Sequence, residues 1–134
     1  MTLQLATLTR NSRLNAIQTE VGTSPILKIF TGTPPSNCSS ANTGDVLVTI
    51  TLPSTWLSAA SSGAISKTGT WEGVSDADGT AGHFRLFDSG GSTCHMQGIV
   101  SITGNGGDIE LSSITISSGQ TITMTTFVIT DGNS

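Results

Sequence analysis

Residues 82–102 read GHFRLFDSGGSTCHMQGIVSI, and the spacing of apolar side chains along them decides the fold. Phe84 and Leu86 alternate with His83 and Arg85, and after the interruption Cys94 and Met96 alternate with His95 and Gln97. A period of two belongs to a strand whose two faces meet different surroundings. Ser89-Gly90-Gly91 supplies the positive-φ glycine that a three-residue hairpin loop needs. That loop pairs Asp88 with Ser92, Leu86 with Cys94, Phe84 with Met96 and Gly82 with Gly98. The inward face is then apolar or small throughout, and Val100 and Ile102 continue it. His83, Arg85, His95 and Gln97 fall on the outward face. Slipping the register by one residue would mix the faces, so the pattern selects the register.

The same alternation continues outward from this hairpin. Residues 109–130, IELSSITISSGQTITMTTFVIT, place apolar residues between hydroxyls and break once at Ser117-Ser118-Gly119. Residues 45–52 (DVLVTITL) put Val46, Val48, Ile50 and Leu52 on one face. Residues 26–30 (ILKIF) form a further strand, and residues 64–70 a weak one. Gly104 to Gly107 and Asp76 to Gly79 read as turns. The helix expected over residues 9–22 has Leu14, Ile17 and Val21 on one side, Thr9 or Asn11 as its cap and Gly22 at its end. Residues 1–8, with Leu3, Leu5 and Leu8, form an arm, and residues 31–43 (TGTPPSNCSSANT) form a long loop. Roughly seven or eight short strands predict a mainly β fold, an antiparallel, jelly-roll-like β-sandwich. One domain covers residues 1–134: arm 1–8, helix 9–22, sandwich 26–130.

Charge narrows the function classes. Asp, Glu, Lys and Arg make up 10% of the chain and the net charge is −4. Five scattered cations (Arg10, Arg13, Lys28, Lys67 and Arg85) make a poor footprint for phosphates, so no nucleic-acid partner is expected. No apolar run approaches the ~20 residues that span a bilayer, so no membrane partner is expected either. MTLQLATLTR does not read as a secretory signal. Cys38, in a polar loop, and Cys94, on an inward strand position, are expected to lie apart as reduced thiols.

Each candidate constellation also has an ordinary structural reading. His83, Arg85 and His95 share a hairpin face, yet a cation beside an imidazole opposes a metal, so this reads as a solvated or interface surface. Asp76-Ala77-Asp78-Gly79 starts like a calcium loop but lacks the later oxygen ligands, which leaves an Asp-Gly turn. Gly104-Asn105-Gly106-Gly107-Asp108 has no following helix to complete a phosphate cradle. Trp56 and Trp71 could anchor a partner or stack on a sugar if exposed, or cap the open end of the sandwich. No nucleophile–base–acid set emerges, so no enzyme activity, no catalytic residue, no metal and no cofactor are expected.

Three stretches, SPILKIFTGTPP (residues 24–35), GTAGHFRLFDSGG (79–91) and GGDIELSSITISSGQTITMTTFVIT (106–130), resemble a family of small tailed-bacteriophage virion structural proteins. The likeness extends to NSRLNAIQTEVG (11–22) and rests on turns and core strands rather than on chemistry. The chain departs from the family pattern at Cys94, Met96 and around Trp56 and Trp71. The resemblance implies a capsid decoration or cement protein, bound outside the major capsid protein lattice as a dimer or trimer. Its location would be the virion, after assembly in the bacterial host cytoplasm. A tail, collar or fibre-base component is the nearest alternative, and a carbohydrate- or host-surface-binding module the next. Partner contacts are expected at Leu3, Leu5, Leu8, Arg10, Arg13, Pro34, Pro35, Trp56 and Trp71.

Overall fold

Strand formation follows the apolar alternation most closely in the middle of the chain. The computed structural model describes residues 3–131, so the ends of the expected domain, residues 1–2 and 132–134, lie outside the described residues. One helix, α1 (Thr7–Val21), precedes β1 (Ile26–Thr31), β2 (Val46–Thr51), β3 (Ala64–Ser66), β4 (Trp71–Val74) and β5 (Gly79–Phe87). Then come β6 (Cys94–Ile102), β7 (Ile109–Leu111), β8 (Thr115–Ile116), β9 (Thr121–Met124) and β10 (Val128–Thr130). The fold is mainly β with one helix, as the sequence predicts. Its main sheet is curled and runs β2-β1-β5-β6-β7, with β8 also paired to β5. Two separate two-stranded ribbons, β3–β10 and β4–β9, complete the strand set.

The hairpin β5–β6 keeps the expected faces of Phe84 and Leu86 but not its expected pairs, and along β6 Cys94 turns to the loop side and Ile102 is exposed. Leu86 lies opposite Met96 and Phe84 opposite Gly98, two residues from the predicted register. Leu86 and Phe84 still point to the core, because a two-residue shift preserves the face. A bulge then brings Phe87 opposite Cys94, so Cys94 is half-buried at the strand start rather than opposite Leu86 in the core. The residue that makes the bulge is His95. The Asp88 carboxylate causes the longer connection: it accepts from the amides of Ser92 and Thr93 and closes the tip over residues 88–93.

Among the described residues every strand pairing is antiparallel except β6–β7, which is parallel. Parallel neighbours ordinarily need a crossover of a dozen or more residues, yet residues 103–108 return the chain here. Side chains reinforce the short ladder at the return. Asp108 accepts from the Ile99 amide at 2.9 Å, and Ser101 Oγ accepts from the Gly107 amide at 2.9 Å.

The core gathers side chains from all three sheets. Trp56, Trp71, Phe84 and Phe127 form a linked ring cluster, with centroids 5.4–6.2 Å apart. Ile29, Leu47, Val48, Ile50, Ile65 and Leu86 pack into the same buried cluster. Leu47 is buried although the expected alternation put it outward. It is the extra residue of a bulge in β2, which the β1 register skips between Ile29 and Phe30.

The helix starts two residues earlier than expected, and its cap residue is Ala6, with no side-chain cap. Thr9 and Asn11 therefore lie inside it and not at its cap. Asn11 and Asn15, one turn apart, instead accept from the amides of Gly63 and Ala60 at 2.9 Å each. With buried Leu14 and Val21 they fix α1 to the chain before β3. Gly22 ends the helix as expected, at φ 90°, its amide bonded to the Gln18 carbonyl.

Candidate functional site

The long loop after β1 determines what β5 can do. Residues 32–45 fold back over the outer side of β5, and the side chains expected to face solvent there are buried. His83 is 0% and Arg85 2% exposed. His83 stacks flat on Phe30 at 5.0 Å, and its Nδ1 donates to the Gly32 carbonyl at 2.9 Å. The Arg85 guanidinium donates to the carbonyls of Cys38 (2.8 Å), Ser40 (3.1 Å) and Asn37 (3.5 Å), and to Asn42 Oδ1. Gln97 Nε2 donates to the Pro35 carbonyl at 2.7 Å. The face predicted to be a solvated or interface surface is thus an internal seam. It is closed because carbonyls turned inward by the loop, with Asn42, accept from the two terminal nitrogens of a buried cation that pairs with no carboxylate among the described residues.

This seam also brings the cysteines together. Cys94 Sγ lies 2.9 Å from Cys38 Sγ, so the expectation that they lie apart is overturned. Both are free thiols and half-buried. Desolvation pushes the Cys38 thiol up to about 11, and its contact with Cys94 adds to the effect. At the neighbouring tip, the amides of Ser92 and then Thr93 hold the Asp88 carboxyl below its ordinary value. A shallow cleft of about 480 Å³ opens between Cys38, Asn42, Arg85, Phe87, Ser92 and Cys94.

A second surface runs along α1. Leu3 is 76% and Leu8 78% exposed. Ile17 lines three adjoining clefts. The largest, about 500 Å³, lies between α1, β6 and β10 and includes Phe84, Met96, Phe127 and Ile129. Val128 beside it is 55% exposed. Arg13 is 59% exposed and pairs with Asp131 at 3.2 Å.

The structure divides the expected contact residues. Leu3, Leu8 and Arg13 stand on the α1 side with side chains exposed, and Leu5 is half-buried. Arg10 is half-buried and structural: it donates to the Asp131 carbonyl at 3.0 Å and packs against Gly63. Pro34 and Pro35 are half-buried in the loop, with Pro35 bonded to Gln97. Trp56 and Trp71 are 0% and 1% exposed, and their indoles donate to the Gly22 and Thr68 carbonyls. They serve the core and present no sugar platform, which removes the feature that would have favoured a carbohydrate-binding module.

The turn motifs have ordinary partners. Asp78 accepts from the Ser118 amide at 2.7 Å. Glu110 Oε2 already accepts from the Gly104 and Gly106 amides at 3.0 Å each, so the chain's own carboxylate occupies the place a phosphate would take. Among the described residues no group of three His, Cys, Asp or Glu side chains is placed to hold a metal ion, and no helix is long and apolar enough to cross a membrane.

Sequence reasoning missed the loop seam. Two signals were available: an Arg set between the apolar residues Phe84 and Leu86 of a strand, and a long Ser/Asn loop able to turn its carbonyls onto it. Comparison with family models, curated proteins and solved structures finds no match.

Proposed function

We propose that this chain is a bacteriophage virion structural protein that binds the outside of the major capsid protein lattice as a decoration or cement protein. The family resemblance motivates the reading. The observation that carries it is exposed apolar surface: Leu3 and Leu8 project into solvent near the start of the chain, and Val128 stands exposed at the cleft lined by Ile17 and Phe127. Exposed apolar side chains next to unfilled clefts suit contact with another protein surface. A dimer or trimer repeats that contact, and repeated weak contacts add avidity. The proposal includes a jelly-roll-like sandwich. The main sheet and the two ribbons share one aromatic core, which supports that arrangement.

The test begins with purified particles. Densitometry against the major capsid protein should give hundreds of copies per head, with lattice binding expected to stabilise the head by mass action. Particles lacking the protein, or carrying Leu3→Asp with Leu8→Asp, should release genome at a lower temperature. A count near 3–12 per particle, of the kind a tail or vertex part would show, together with unchanged heat release and lost host adsorption, would move the assignment to a tail, collar or fibre-base component.

A further inference from the structure

The thiols of Cys38 and Cys94 meet across the loop seam, on chain segments 56 residues apart in sequence. The meeting is not incidental to the fold. Arg85 takes the Cys38 carbonyl itself as one of its acceptors, so the cation fixes the backbone of the loop cysteine. The β5–β6 bulge fixes the other one, at the first residue of β6. The two sulfurs are 2.9 Å apart, so forming the bond requires closing by roughly 0.9 Å to reach the ~2.05 Å of a disulfide. The neighbouring cleft gives a small oxidant access to both sulfurs.

We propose that Cys38 and Cys94 are a modification site: a dithiol that a low-molecular-weight disulfide converts into an intramolecular disulfide, clamping residues 32–45 over Arg85. Oxidised glutathione is a sufficient oxidant. One protein thiolate attacks it, an S–S bond forms to the protein, and one glutathione thiolate leaves. The second protein thiolate attacks the protein sulfur of that mixed disulfide and expels the second glutathione. The protein loses two hydrogens, and one glutathione disulfide becomes two glutathione thiols. The Cys38 thiol, pushed up to about 11, is rarely ionised at neutral pH, so attack by that sulfur accelerates under alkaline conditions.

The closed form should differ from the open one in a measurable way. The loop's hold on the sheet now depends on hydrogen bonds from Arg85 and Gln97. A covalent link restricts the unfolded chain instead, and more so for distant cysteines. The oxidised protein should melt about 5–15 °C above the reduced protein and return on treatment with dithiothreitol.

The experiment uses the purified full chain. Fully reduced protein is incubated with oxidised glutathione at mildly alkaline pH, then analysed by non-reducing intact mass, peptide mapping and thermal melting. The expected result is loss of two hydrogens, a Cys38–Cys94 cross-linked peptide, and a reversible rise in midpoint. Cys38→Ser and Cys94→Ser should each abolish the oxidant-dependent rise. Stable glutathione adducts without the cross-link would overturn the proposal. So would two thiols that remain open to alkylation after unfolding, a cross-link with no gain in midpoint, or a gain that survives in either serine variant.

Discussion

Arg85 has the most consequential environment of any single residue in the chain. It is fully buried, pairs with no carboxylate among the described residues, and lies 5.6 Å from the centroid of the Phe87 ring. Its planar fork matches several carbonyls at once, which a lysine ammonium cannot do. Arg85→Met should cost about 2–4 kcal/mol, because the inward carbonyls of Asn37, Cys38 and Ser40 lose their donor. Arg85→Lys should recover only part of that, as read from urea midpoints. Cys38 gives a pH signature in the reduced protein. Its folded value, about 11, is above its ordinary 9.0. The stability it contributes is therefore complete below pH 9 and lost as pH rises toward 11. Urea melts of the reduced chain across that window should show the decline, and Cys38→Ser should remove that component. Neither residue's role was readable in the sequence. Period-two alternation reports which side chains share a face, but not whether a loop will cover the second face.

Elements show a similar division between what local sequence fixes and what distant contacts decide. The β5–β6 hairpin, the Gly22 stop and the Ser117-Ser118-Gly119 turn follow from local chemistry, and Gly119 does adopt φ 84°. The start of α1 does not, because Asn11 and Asn15 are used against the 60–63 turn and not as caps. Residues 109–130 were expected as two strands; four short pieces form instead, since β7, β8, β9 and β10 each pair with a different partner. Alternation cannot reveal that change of partner. Gly82 shows how closely two elements approach. It sits where the β1–β5 register shifts, and a Cβ there would collide with the Gly32 carbonyl. Gly82→Ala should destabilise by about 1–3 kcal/mol through backbone displacement. Chemical denaturation should register the loss, and amide exchange should locate it at β1 and β5, leaving α1 protected.

At the scale of the whole molecule, stability rests on one aromatic cluster that the helix end, the main sheet and both ribbons reach. Phe84 is 2% exposed and meets Phe127 edge-on at 6.2 Å. Phe84→Ala should cost about 3–5 kcal/mol by leaving a cavity between the sheet and the chain before β10. A two-state thermal melt would show it as a single, lower transition. The mainly β character was legible from composition and period. The curl of the sheet was less so, because it depends on bulges at Leu47, Gly82 and His95 and on a parallel return at β7.

The same cluster determines what light can report about this chain. There is no tyrosine, and the only two indoles are buried with centroids 6.1 Å apart. Intrinsic fluorescence therefore comes from one dry spot, and its shift to longer wavelength on hydration should track disruption of the core. Opening of the loop over Arg85 would leave that emission unchanged. Release of the helix would not, because the Trp56 indole donates to the Gly22 carbonyl at 2.9 Å and would meet water as that end came away.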